Sequence, residues 1–280
     1  MAIHAFSGVR ESVLAGTWYP ASGIVLQNQV DHFLANVPAQ TIPGRLVGLL
    51  VPHAGHIYSG QVAAYAYKQL LSREVELVVL IGPSHFIWVG PVATTRQAYY
   101  ETPLGKVPVD QEFVSALDAE YRLNWLQWER EHALEIQLPF LQRTLKNFAL
   151  VPLLMGDQSL ATARALGEIL AQVVRSSGRQ VILVASSDLS HYHPQAEAER
   201  MDRTLLHYVE ASDIQSLAEA CAEEKCQACG IGALLTVMVT AQGLGATAAR
   251  ILNYATSGDV SGDREAVVGY GAAAFYQPMT

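Results

Sequence analysis

What this sequence lacks narrows its reading first. It has no run of about 18 apolar residues, so no transmembrane helix is expected. Charged residues are scarce at 16%, and the 18 Lys and Arg against 26 Asp and Glu leave a net charge of -8 with no basic stripe. A nucleic-acid footprint needs such a stripe, so no nucleic-acid partner is expected. Cysteine is sparse and odd in number: Cys221, Cys226 and Cys229 could close one disulfide at most, a poor framework for an exported protein. The opening MAIHAFSGVRESVLAG lacks a basic start followed by an apolar block, so it does not read as a secretory signal, and a cytoplasmic location is expected. Internal repeats, low-complexity tracts and clean linkers are also missing. With half of the 280 residues hydrophobic, a large core is available, and one compact domain over residues 1–280 is expected.

Three continuous apolar runs are present: LVGLLV (46–51), LVVLIG (77–82) and VILVAS (181–186). Continuity rather than alternation is the pattern of parallel strands covered by helices on both faces. LVPLLM (150–155) adds another strand, and VVGYG (267–271) one more despite its glycines. Helical spacing runs through 61–71 after Ser59-Gly60, through 131–145 with a break or kink predicted at Pro139, and through 159–178 between an Asp157 or Ser159 cap and a Gly178 stop. Later helices are read in HPQAEAERMDRTLLHYVE and from Cys229 to Val239. The succession predicts an α/β fold with a largely parallel or mixed central sheet flanked by helices.

Polar clusters follow the apolar runs directly: PHAGH after the first, PSHF after the second, SDLSHYH after the third. Open α/β sheets gather ligand sites beyond the carboxyl ends of their strands. Each loop alone has a plain structural reading. His53 and His56 could simply bond backbone in a tight turn, Ser84-His85 could be surface, and Asp188 could close an Asx-turn. Together, His53 and His85 offer imidazole nitrogens from adjacent loops, and a cysteine or carboxylate would complete a three-ligand face. Asp188 could orient a ligand imidazole, and His191 could stay free as an acid or base. His193, ahead of Pro194, is the weaker candidate. Cys229 opens an apolar helix, where the helix dipole favours thiolate. The C-x4-C-x2-C spacing of the cysteines could also suit zinc or an iron–sulfur centre, although a fourth ligand is not identified. His132, beside Glu131, could donate a proton to the site or only cap its helix. Lys106 could attract an anion, although a solvated lysine explains it, and Tyr254 could line the pocket.

The ordered set AGTWYP (15–20), PHAGH-Y-SG (52–60), GPSH (82–85), EHALEIQLPFL (131–141), SSDLSHY (186–192) and CG (229–230) resembles the Memo family, including its prokaryotic AmmeMemoRadiSam system protein B members. The resemblance runs nearly end to end. It implies a fold like that of class III extradiol ring-cleaving dioxygenases, whose iron is held by two histidines and a glutamate. It makes His53, His85 and Cys229 metal ligands, with Cys229 where the dioxygenases have glutamate. His191 then matches their acid–base histidine, and His132 and Asp188 match positions that support the pocket. Two departures stand out: His56 replaces the usual tyrosine and is an open pocket position, and Phe86 replaces a second histidine.

The resemblance therefore implies a divalent metal, iron first and copper or zinc next, in a dioxygenase-like pocket of an oxidoreductase. It also implies a pathway shared with a radical-SAM protein and an AMMECR1-like protein. Two other functions stay open on the residues alone: non-enzymatic recognition of a peptide or partner by the old pocket, and zinc-dependent hydrolysis.

Overall fold

A computed structural model describes residues 6–279; residues 1–5 of the N-terminal leader reading lie outside them. β1 (Val9–Arg10) and α1 (Gly23–Asn36) precede β2 (Gly44–Val51), which leads into α2 (His56–Tyr67) and a 3-10 turn. Next come β3 (Leu77–Pro83), β4 (Val92–Thr95), β5 (Tyr99–Thr102), β6 (Gly105–Pro108), α3 (Gln111–Tyr121) and β7 (Asn124–Leu126). α4 (His132–Glu135), α5 (Leu138–Thr144), β8 (Ala149–Met155), α6 (Leu160–Ser177) and β9 (Val181–Ser186) follow. β10 (His191–His193), α7 (Gln195–Glu210), α8 (Ile214–Ala222), α9 (Ile231–Gly243), β11 (Ala248–Thr256), α10 (Gly258–Ser261) and β12 (Val267–Pro278) complete the order.

The apolar runs form the middle of a nine-stranded sheet ordered β10-β12-β2-β9-β3-β8-β4-β7, with β11 paired to β12. β2, β9, β3 and β8 are mutually parallel neighbours, while β12 and β4 run antiparallel on their two flanks. The sheet is therefore mixed around a parallel centre. Every residue of β3 is buried, and so are residues 46–51 of β2. Successive strand residues point to opposite faces, so unbroken burial requires cover on both. α9 packs on β2, β9 and β3 with α6 beside it, while α2 packs on β2, β11 and β12. This is one α/β domain whose helices flank a mixed sheet.

Local chemistry explains most boundaries. Ser159 caps α6 by accepting from the Thr162 amide, and Gly178 ends it at φ 64. Pro139 sits in the first turn of α5, where its missing N–H costs nothing, so the 131–145 pattern divides into two short helices. Two expectations need correction. The helix expected to start after Ser59-Gly60 begins at His56 instead. Gly55 is its N-cap, Ser59 donates back to the Ala54 carbonyl, and Gly60 lies against the Phe33 ring. The helix expected from Cys229 starts at Ile231, with Gly230 as N-cap. The weak 267–271 strand is the start of a 12-residue one, and Gly269 is required there because a Cβ would sit 1.8 Å from Asp202 Oδ2.

The N-terminal segment is tied to this frame by a buried ionic cluster. Arg10 bonds the Glu129 and Glu135 carboxylates and donates to the Glu131 carbonyl at 2.8 Å. Glu135 also accepts from Ser12, from Tyr19 and from the Val13 and Leu14 amides. Burial alone would raise its carboxyl pKa, but Arg10 and these donors hold it down. Breaking one side of a buried ion cluster leaves an uncompensated charge. Arg10→Met should therefore cost about 3–5 kcal/mol of stability, read as a lowered urea midpoint with unchanged slope. A loss below about 1 kcal/mol would contradict this account.

Candidate metal centre

The strand order β2-β9-β3 brings three polar loops side by side at the carboxyl end of the sheet. Pro52 and His53 follow β2, Ser84 and His85 follow β3, and Ser187 and Asp188 follow β9. His132 reaches the same place from the first position of α4, whose N-cap, Glu131, accepts from the His132 and Ala133 amides. His53, His85 and His132 each offer a ligand atom, and these atoms lie within 4.8 Å of one another. The His53 ring stands at 88° to His85 and 89° to His132, while His85 and His132 stack at 25°. This cluster could hold a metal ion.

Hydrogen-bond chemistry fixes which nitrogens are available. Ser186 Oγ lies 2.6 Å from the Ala133 carbonyl, which can only accept, so the hydroxyl proton is spent there. It accepts from Gln137 Nε2 at 2.9 Å and lies 3.0 Å from His53 Nδ1. His53 Nδ1 must therefore carry the proton, and Nε2 keeps its lone pair. His85 Nδ1 lies 2.9 Å from Glu131 Oε1, and the His85 amide donates to Oε2 at 2.6 Å. Burial would raise the Glu131 carboxyl, but bonds from His132 and His85 hold it far below the usual range, so it is ionised and only accepts. His85 Nε2 is thus also left free. Burial, with His132 and His85 nearby, keeps His53 well below its ordinary pKa and so neutral, the form a metal needs. His132 Nδ1 lies 3.0 Å from the same Glu131 oxygen, which also accepts from the His132 amide at 2.9 Å.

Cys229 adjoins this cluster. Its amide donates to the Asp188 carbonyl, and its Sγ lies 3.0 Å from His53 Nε2. At that distance the neutral thiol donates its proton to the Nε2 lone pair, and Cys229 stands beside the three-histidine group rather than within it. The helix-dipole expectation for its thiolate does not hold here: burial and the Asp188 charge push the thiol up, so only a bound cation would deprotonate it.

Asp188 is fully buried, and burial lifts its carboxyl to about 6. It takes no ring proton. Its Oδ1 accepts from the His53 and Ala54 amides at 2.6 and 3.3 Å, pinning the turn after β2. His191 Nδ1 donates to the Leu189 carbonyl at 2.8 Å, so its Nε2 also keeps a lone pair. Both line a cavity of about 520 Å³ with His53, His85, His132 and Trp18.

Several candidates lie elsewhere. His56 is buried among Tyr19, Phe33 and Phe140, with Nε2 3.2 Å from the Ile136 carbonyl and Nδ1 3.2 Å from Gln29 Oε1. It does not line the cavity. His193 pairs with Gln227, Tyr254 donates to Asp202 at 2.8 Å, and Lys106 is solvated near Glu101. Ser186, Gln137 and Glu131 are the positioning residues that sequence reasoning missed. Their signals were a serine ending an apolar strand and polar residues inside the otherwise apolar EHALEIQLPFL.

A mixed α/β sheet with an imidazole cluster at the ends of its parallel strands defines a candidate metalloprotein. The model of Memo-like proteins matches residues 10–274. A MEMO1 family protein of Nitrosopumilus maritimus is 37% identical over 95% of this chain and 99% of its own length. Another from Thermotoga neapolitana is 36% identical over 94% and 98%. The chain belongs to the Memo family. Among solved structures, an uncharacterized Escherichia coli K12 protein overlaps 81% of this chain and 99% of its own at 14% identity and a TM-score of 0.48, too loose a likeness to argue from.

His56 supplies a test apart from any metal. Burial lowers its pKa from 6.5 to about 4, so the unfolded chain binds more protons between those values. Its contribution is intact above about pH 6.5 and is lost as pH falls toward 4, by at most about 3 kcal/mol. His56→Gln should flatten the stability decline between pH 7 and pH 4.5, followed by urea unfolding. An identical decline in the variant would show that His56 is not a buried neutral imidazole.

Proposed function

We propose that this protein is an iron-dependent oxidoreductase with a dioxygenase-like pocket, its ion held by His53, His85 and Cys229. The observation that carries the proposal is the commitment of both Nδ1 protons, of buried His53 to Ser186 and of the more exposed His85 to Glu131, which leaves each Nε2 lone pair available to an ion. Cys229 takes the third position because its Sγ already stands beside His53 Nε2, where the family resemblance sets a ligand; His132, from the three-histidine group, is the alternative third ligand. A thiolate in place of the dioxygenase carboxylate softens the donor set toward copper or zinc.

Iron bound there supplies Lewis-acid polarisation of substrate oxygens and electrons for dioxygen chemistry. His191, with its free Nε2, takes the proton of an ionising substrate hydroxyl and returns it to product. His132, stacked on His85 and against Trp18, forms the cavity wall through which a second proton moves. Asp188 keeps the His53 turn rigid. The family resemblance extends the proposal to a cytoplasmic protein working with a radical-SAM protein and an AMMECR1-like protein. Among the described residues no helix is long and apolar enough to cross a membrane.

A second reading, recognition of a peptide or partner, draws on apolar surface. Phe86, Trp88 and Trp128 are 64%, 71% and 63% exposed. Phe86 and Trp128 line a neighbouring cavity of about 430 Å³ that shares Trp18 and His132 with the first.

Metal analysis after anaerobic purification tests the leading proposal. The wild type should carry about one equivalent of iron, and His53→Ala and His85→Ala almost none. Cys229→Ala should lower occupancy, while His132→Gln should retain the ion. Loss in His132→Gln with retention in Cys229→Ala would move the third ligand to His132. Ser186→Ala should weaken metal binding roughly 10–100-fold by freeing the His53 ring, since orienting partners of ligand imidazoles have that effect. Bound zinc with ester or amide turnover would favour hydrolysis instead.

A further inference from the structure

We propose that Cys221 and Cys226 form a redox-modifiable dithiol that closes to a disulfide on reaction with a low-molecular-weight disulfide, leaving Cys229 as the free thiol of the site. Both cysteines are unpaired in the structure, and their Sγ atoms are 2.8 Å apart, less than about 1 Å beyond disulfide bonding distance. The backbone creates this approach. Cys221 lies in the last turn of α8, the Glu224 amide donates to its carbonyl, Glu224 adopts φ 58, and the Lys225 amide returns to the Ala220 carbonyl. The chain reverses there and lays Cys226 against Cys221, so only a small approach of the two sulfurs is left.

The two sulfurs have different surroundings. Cys221 lines a cavity of about 480 Å³ with Gln158, Leu160 and Ile231, whereas Cys226 is buried at 1% exposure. A small disulfide can therefore reach Cys221 first. Cys221 thiolate attacks one sulfur of the oxidant, forming a mixed disulfide and releasing one thiol. Cys226 thiolate then attacks Cys221 Sγ, closing the protein disulfide and releasing the second thiol. Two protein thiols are oxidised, one small disulfide is reduced to two thiols, and the two protein protons end on the leaving thiolates. The oxidised loop ends three residues before Cys229, so it braces the segment that delivers that sulfur to His53. This pairing also accounts for the odd cysteine count.

Oxidised glutathione is the probe, applied to the full-length reduced protein and followed by denaturation and alkylation. Reactive thiols should fall from three to one. Trypsin cuts after Lys225, inside the loop, so peptides 204–225 and 226–250 should emerge as one linked species that separates on reduction, with Cys229 alkylated. In Cys226→Ser, which lacks the resolving thiol, Cys221 should instead retain one glutathione. Three alkylated cysteines at a glutathione potential that fully oxidises dithiothreitol would overturn the proposal. So would a link through Cys229, or a Cys226→Ser protein that melts like wild type yet carries no glutathione on Cys221.

Discussion

The single proton of the Ser186 hydroxyl organises the site. Because it goes to the Ala133 carbonyl, the oxygen can only accept from Gln137 and His53. Gln137 is spent in turn, donating to the Pro52 carbonyl and accepting from the Tyr67 hydroxyl. One fully satisfied network thus ties the end of β9 to the turn after β2, to the start of α5 and to α2. In a buried setting each of these polar groups would cost about 1–3 kcal/mol if left unpaired. The network therefore fixes the His53 tautomer as a condition of folding, before any ligand arrives.

The same device recurs at His85 and His191, whose Nδ1 protons go to Glu131 and to the Leu189 carbonyl. Glu131 can serve because it is ionised despite burial, and it is held in place by Arg10, which grips its backbone and the flanking Glu129 and Glu135. The N-terminal segment is therefore part of the site's support, through Arg10. Three imidazoles are left presenting Nε2 near one cavity, those of His53, His85 and His191, and His53 alone stands beside Cys229. Cys221 and Cys226 pack against each other at the end of α8, outside this network.

Much of this was legible in the sequence. The unbroken apolar runs of β2, β3 and β9 and the histidines directly after them marked both the parallel centre and the place where the site lies. The antiparallel flanks were not legible, because β4, β7 and β11 are short or mixed in character and owe their place to pairing rather than pattern. His53 and His56 could not be separated by spacing alone. They are three apart, yet a helix starts between them, and it turns His56 into the core against Phe33 and Phe140. Ser186 and Gln137 escaped notice because a hydroxyl or amide gains its role only from partners distant in sequence.

The account stands on one arrangement: a single ion bound through His53 Nε2 and His85 Nε2, with Cys229 Sγ completing the face. Anomalous diffraction at the iron edge, from crystals of anaerobically prepared protein, examines it directly. One strong peak should lie within bonding distance of those three atoms, with His56 remote from it. A peak held by His132 and Glu131 with His53 turned away, or an iron-loaded crystal with no peak in the cavity, would contradict it.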